Sequence, residues 1–347
     1  MKKKFLSVFL TLVMAVTVLS QKGIEVNADG EEVIIDSIIY NLNENANEAT
    51  VKGVSGVLPE NVTILPAIVK DGIEFKVTEI SANAFVRRGD LKEINIPDSV
   101  TKICDSAFKD SNLQNIKIPN SVIEMYSEVF YGCRELRTVE LSNNPEFKSI
   151  WPGMFRRCCC LTNIKIPKNV TVIGEEAFYG SGLKNVEFSN ELESINQDAF
   201  ACCGELETVN LPNSLTFIGD WAFANSGIKR ISLPSNLKYL GCGAFESSEL
   251  TTIEFPDDYK FSVIKQGTFK DCENLKQVVI PFGVSKIETE AFAYSGLELA
   301  TLPEGVVLDV KGEGRRPFTQ HGSDYEKGSF FGCRNLTISY RSEAKPV

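Results

Sequence analysis

Ten cysteines, a lone histidine and one short stretch rich in arginine and aromatic residues are where this chain could do chemistry. Cysteine can ligate metal, form disulfides or act as a nucleophile, and each role needs partners at a fixed spacing. Cys158, Cys159 and Cys160 are consecutive. A tetrahedral zinc site instead uses ligands paired about two to four residues apart. His321 is the only imidazole in 347 residues, so no metal centre is expected. His321, Ser323 and Asp324 carry the groups of a catalytic triad, yet they are immediate neighbours in the chain. A triad works because a rigid fold brings separate segments together, so this local run predicts no catalysis. The chain has no glycine-rich phosphate loop, His-Glu-x-x-His segment or nucleophile elbow. No catalytic residue, no cofactor and no enzymatic activity are expected.

The stretch from Lys311 to Tyr325 suits binding better. It presents Arg315, Arg316, Phe318, His321 and Tyr325 among glycines. Arginine and tyrosine are enriched at the energetic centres of interfaces. The competing reading is a solvated surface loop, the commoner role of such segments.

What positions these residues is a repeat. Phenylalanine returns about every 23 residues, at Phe85, Phe108, Phe130, Phe155, Phe178, Phe200, Phe223, Phe245, Phe269, Phe292 and Phe330. Lys311–Tyr325 stretches the last interval to 38 residues. A fixed period of about 20–29 residues marks a solenoid, whose units stack because none can bury its apolar face alone. Between the phenylalanines runs Leu-x-x-Ile-x-Ile, as in Leu91/Ile94/Ile96 and Leu161/Ile164/Ile166. That alternation predicts a strand buried on one face. Pro97, Pro119 and Pro167 follow such strands, where the missing N–H costs the ladder nothing. A second apolar column stands five residues before each Phe, from Ile80 and Ile103 to Ile287, and breaks at Tyr325. Alanine usually precedes the Phe, which predicts a tight helical or 3₁₀ turn carrying the ring inward.

Five cysteines fall into this register. Cys133, Cys158, Cys203, Cys272 and Cys333 each lie three residues after a repeat Phe, in a column otherwise filled by serine or, once, by Arg88. A small residue packing under the turn accounts for both choices. A disulfide is the other reading. Stacked strands lie roughly 5 Å apart, within the Cα range of a bridge. Cys133 and Cys158 are the column's only cysteines in adjacent repeats, so they form the pair to test.

Val170 to Phe178, reading Val-x-x-Ile-Gly-x-x-Ala-Phe, and Leu161 to Pro167, reading Leu-x-x-Ile-x-Ile-Pro, resemble the BspA-like leucine-rich repeats of bacterial surface and secreted proteins. The resemblance runs over roughly residues 60–340. The Asn or Cys that follows the strand in the common leucine-rich repeat is absent, and proline takes over directly. The expected fold is a right-handed repeat solenoid, a β-strand-lined leucine-rich repeat array of about eleven units, with an N-terminal β cap. The resemblance implies adhesion, by contact with host matrix proteins or other cells.

The ends fit an exported protein. Residues 1–28 read as a signal peptide, with Lys2–Lys4, the apolar run Phe5 to Leu19, and Val26-Asn27-Ala28 as cleavage site. No cysteine near that site, wall-sorting motif or hydrophobic tail offers an anchor, so secretion with non-covalent surface association is expected. Residues 29–79 should form the cap, 80–340 the repeats with an irregular insertion at about 308–326, and 341–347 a tail. A net charge of −10 without a basic cluster argues against nucleic-acid partners.

The outward row of the strands, including Asn95, Lys117, Glu140, Lys165 and Glu187, is polar and of mixed sign, as a solvated face would be. Trp151 and Trp221 read as turn packing. The expectation is a monomeric protein-binding scaffold with no membrane insertion after signal removal. The alternatives are a passive spacer module, or an exported carbohydrate-binding accessory, for which the sequence offers no ladder of aromatic platforms.

Overall fold

A computed structural model describes residues 25–26, 32–256, 262–309 and 328–342. Within them the Leu-x-x-Ile-x-Ile stretches form short strands that pair in parallel from one turn to the next. Asn115–Lys117 pairs with Thr138–Glu140, Asn163–Lys165 with Asn185–Glu187, and Gln277–Val279 with Leu299–Pro303. Register is kept because a one-residue slip would turn every buried isoleucine outward. This wide ladder is cut into shorter sheets, and Thr208 keeps only a single bridge to Arg230.

The second apolar column makes a narrow ladder of two-residue strands on another wall. It runs from Lys102–Ile103 and Glu124–Met125 through Ser194–Ile195, Phe217–Ile218 and Tyr239–Leu240 to Val307–Leu308. One residue of each strand points into the core and one points out.

The third wall corrects an expectation. The segments carrying Phe contain no 3₁₀ or α-helix. They are consecutive turns in which alternate amides face different ways. In the first, Ala84, Val86 and Arg88 donate to the carbonyls three residues back. Asn83, Phe85 and Arg87 donate instead to Asp105, Ala107 and Lys109 of the next repeat. A helix cannot do this, because its amides all point along its own axis. The alternation needs left-handed residues on both sides of the Phe, and Asn83 (φ 60°) and Arg87 (φ 57°) supply them. The same pair of positions is left-handed at Ser106 and Asp110, and at Glu176 and Gly180. Rung-to-rung hydrogen bonds thus close the third wall without a regular strand.

Inside, the eleven phenylalanines form one column. Consecutive ring centroids are 5.0 to 5.8 Å apart and nearly parallel. Phe292 and Phe330 stack at 5.2 Å, so the long interval between them leaves the column in step. At the other end, Ile38–Asn43 and Glu48–Val54 form an antiparallel pair. Glu48–Val54 joins Ile73–Ile80 in parallel, and Ile73–Ile80 begins the narrow ladder against Lys102–Ile103. Glu25–Val26, inside the expected signal peptide, pairs with Val33 and Ile34. Cleavage after Ala28 would remove that two-residue strand.

Candidate functional site

The cysteine column is a packing device. Each thiol donates to the carbonyl of the phenylalanine one turn earlier: Cys133 to Phe108 (3.0 Å), Cys158 to Phe130 (3.1 Å), Cys203 to Phe178 (3.2 Å), Cys272 to Phe245 (3.2 Å) and Cys333 to Phe292 (3.1 Å). The serines lie next to the thiols, with Ser111 Oγ 3.4 Å from Cys133 Sγ and Ser181 Oγ 3.3 Å from Cys203 Sγ. The Cys133–Cys158 bridge is not formed, and both thiols are free. Translation along the stack makes the two side chains point the same way, whereas a disulfide needs them to converge. Within the Cys158–Cys160 run, Cys158 is buried and Cys159 exposed, so the run does not converge on one point.

Burial pushes the Cys133 and Cys272 thiols up to about 12 and Cys203 up to about 11, from an ordinary 9.0. A folded-state value above the unfolded one gives stability that is complete below pH 9.0 and lost as pH rises toward the folded values. The slope is about 1.4 kcal/mol per pH unit for each buried thiol. Thermal stability should therefore fall steeply above about pH 9, and less steeply in a Cys133→Ser/Cys272→Ser double variant. Native alkylation followed by mass mapping should modify exposed Cys159 and Cys202 while sparing Cys133 and Cys158. Labelling of all four at one rate, or recovery of a Cys133–Cys158 peptide, would refute this account.

The outward row of the wide ladder neutralises itself. Lys117 pairs with Glu140 at 3.0 Å and Lys165 with Glu187 at 3.4 Å, and Ser232 bonds Glu254. Such exposed pairs contribute about 0–1 kcal/mol each. The row changes character at its C-terminal end, where Val279 and Leu299 are exposed on adjacent strands and Phe282 is exposed in the turn that follows the first of them. Arg341 lies 4.3 Å from the Phe282 ring centre and donates to the Ile280 carbonyl at 2.8 Å.

The turn wall carries a sandwich of cations and rings. Lys109 sits over Tyr131 at 4.3 Å, and Arg156 lies 5.6 Å from Tyr131 and 4.8 Å from Tyr179. Glu128 and Glu176 pair with the two cations. Trp151 tilts against Tyr126 at 5.5 Å, and Trp221 Nε1 donates to Glu246 at 3.0 Å. Both tryptophans pack on neighbouring turns.

One arrangement escaped the sequence reading. The outward position of the narrow ladder holds Val172, Ser194, Phe217 and Tyr239 in successive turns. Phe217 and Tyr239 stack at 4.7 Å. The Tyr239 hydroxyl donates to Asp220 Oδ1 at 3.2 Å, and the Cys242 amide donates to the same oxygen at 2.8 Å. Burial, then the Asp220 charge, hold the Tyr239 hydroxyl above its ordinary value. A cleft of about 360 Å³ opens beside this pair, lined also by Glu175, Asn196, Gln197 and Gly219. The signal in the sequence was two aromatics 22 residues apart at a position otherwise held by Lys, Glu, Ser or Val.

Arg315, Arg316, Phe318, His321 and Tyr325 lie outside the described residues.

Comparison with known proteins agrees with this architecture. A leucine-rich repeat protein from Bacteroides ovatus ATCC 8483 is similar in structure, with a TM-score of 0.51 and 23% identity, covering 89% of this chain and 99% of that one. A leucine rich cell surface protein from Faecalibacterium prausnitzii A2-165 gives a TM-score of 0.48 at 22% identity, covering 90% of this chain and 95% of that one. No curated protein matches the sequence. The family model described as BspA type Leucine rich repeat region matches residues 78–206 and 193–308, in six copies. With the repeat motif matched over most of the stacked turns, the chain belongs to the BspA-type leucine-rich repeat family.

Proposed function

We propose that this protein is an exported, surface-associated scaffold that binds a protein ligand, serving adhesion to host matrix proteins or to another cell. The observation that carries the reading is the exposed apolar group at the C-terminal end of the wide ladder. Val279 is 52% exposed and Leu299 40% on adjacent strands, with Phe282 39% exposed in the following turn. Exposed apolar side chains on adjacent strands of an otherwise ion-paired face mark an interaction site. An extended polar face supplies the rim around it. The Lys311–Tyr325 segment, inserted between Asp309 and Gly328 of the last turn, adds arginine and aromatic side chains to the same end of the chain. Export rests on the charged and apolar pattern of residues 1–28. The self-paired row of Lys117, Glu140, Lys165 and Glu187 favours the second reading, a spacer without a ligand.

Binding of the purified protein to immobilised matrix proteins and to whole cells separates the two. Adhesion predicts saturable binding that soluble protein competes away. A Val279→Lys/Leu299→Glu variant should then bind at least about tenfold more weakly, as truncation at an interface centre does. A variant with Lys311–Tyr325 replaced by a short Gly/Ser loop reports the contribution of that segment. No saturable binding to any surface would overturn adhesion and leave the spacer.

A further inference from the structure

The cleft beside Phe217 has the composition of a small-molecule site, and it lies on a different wall from the apolar group at Val279 and Leu299. Its origin is local. Along the narrow ladder, Tyr239 covers one face of Phe217 at 4.7 Å. The preceding turn places Ser194 directly beside Phe217 in register. A serine is too short to cover the other face of the ring. The floor is backbone, because Gly219 stands where the preceding turn has Asn196 and packs directly against the Asn196–Gln197 peptide. Only glycine fits there, since a Cβ would lie 2.6 Å from the Gln197 backbone nitrogen. The small residue before the ring thus leaves a notch of about 360 Å³ with a backbone floor, at the lower end of the range for small-ligand sites.

The walls of the notch are chemically mixed. Phe217 offers an aromatic face, whose quadrupole is negative. Asn196 also lines the cleft, and its side-chain amide has no hydrogen-bond partner among the described residues. Gln197 donates to Asp198 at 3.1 Å, which leaves its carbonyl oxygen to accept. Asp220 is held in place by the Tyr239 hydroxyl and the Cys242 amide, which both donate to one oxygen, and it lines the cleft. Glu175 is exposed at the rim.

We propose that this cleft binds one neutral hexopyranose unit of a glycan. A pyranose has a face of axial C–H groups, polarised positive, that can lie on the negative face of Phe217. Its ring of equatorial hydroxyls can donate to Asp220, Glu175 and the Gln197 carbonyl and accept from the Asn196 amide. An amide, a carboxylate and a ring face at one point match a ligand that is apolar on one side and hydroxylated around its edge. A cationic ligand fits less well. Lys265 already lies 4.9 Å from the Tyr239 ring centre and brings positive charge to this corner. Asp220, the more enclosed carboxylate, is partly spent on two protein donors.

The test is saturation-transfer NMR on the full chain with methyl glucoside, galactoside, mannoside and N-acetylglucosaminide, and with choline as the cationic probe. The expected result is transfer to at least one glycoside, with dissociation constants of about millimolar order, as a single shallow subsite gives. Phe217→Ser should weaken binding at least about tenfold by removing the platform. Ser194→Phe should do the same by continuing the aromatic stack over the open face, with an unchanged or raised melting temperature. That second variant keeps a loss of binding distinct from a loss of fold. Transfer to no glycoside, transfer to choline alone, or glycoside binding that survives Ser194→Phe would each overturn the proposal. Matrix-protein binding through the wide ladder should be untouched by Ser194→Phe, so the two sites fail or stand separately.

Discussion

Replacing Phe200 with alanine is expected to lower the unfolding free energy by about 3–5 kcal/mol, the range for emptying a large buried aromatic site. Phe200 is fully buried, stacked 5.0 Å from Phe178 and 5.4 Å from Phe223, with the edge of Phe188 at 5.7 Å. Each aromatic neighbour adds about 0.5–1.5 kcal/mol beyond area burial. The neighbours cannot collapse into the gap, because each ring is fixed by its own turn, whose amides bond the next repeat. Phe330, at the end of the column, has a ring contact only with Phe292 among the described residues. Phe330→Ala should therefore cost clearly less.

A solenoid is stabilised by nearest-neighbour interfaces, so a break in the middle also divides the array. Urea unfolding of Phe200→Ala should show a lower midpoint together with a shallower or two-step transition, which marks lost cooperativity. Equal costs for Phe200→Ala and Phe330→Ala would contradict the picture of a column held from both sides.

Gly227→Ala should be nearly as damaging, at about 3 kcal/mol, the upper end for forced overpacking. The cause is a mismatch between turns. Where the column residue is cysteine, the next strand leucine comes six residues after the Phe, as from Phe200 to Leu206. Where it is serine, the leucine comes five residues after, as from Phe223 to Ile228, where isoleucine takes the place. The extra residue of the longer turn, Gly204, projects its carbonyl over the shorter one. A Cβ on Gly227 would lie 2.2 Å from that oxygen. The same clash recurs at Gly182, whose Cβ would meet the Cys159 carbonyl oxygen at 2.0 Å. Gly204→Ala is the control, since nothing lies within 4 Å of its Cβ, and it should stay within about 0.5 kcal/mol of the parent. Melting temperatures of the two variants measured side by side decide the matter. A Gly227→Ala protein as stable as Gly204→Ala would mean that the turns relax without strain.

Much of this fold was legible in the chain. Phe85 to Phe330 had to lie inside one above another, because residues repeated at one interval occupy equivalent places and the apolar ones must share a core. The alternation at Leu161, Ile164 and Ile166 gave the buried face of the wide ladder for the same reason. The turn conformation was less legible. The Ala-Phe pair fits a helical turn locally, and the left-handed positions at Asn83 and Arg87 follow from amides that must reach the next repeat. Four of the five column cysteines are small buried residues as the spacing implies, and Cys333 in the last turn is partly buried. The direction of each thiol, toward a carbonyl rather than a second sulfur, depends on the side-chain angle that packing imposes.

The sequence by itself determined the repeat, its register, the buried column and the outward rows, because period and polarity act at every turn alike. Only the tertiary structure decided what those outward rows do. Lys117 meets Glu140 and Ser194 leaves Phe217 open through pairings of residues 23 apart in the chain, where one side chain's length sets what its neighbour can touch. A periodic chain fixes where residues stand. Which of them cover one another is settled by contacts between turns, and the ion-paired face and the aromatic notch both arise there.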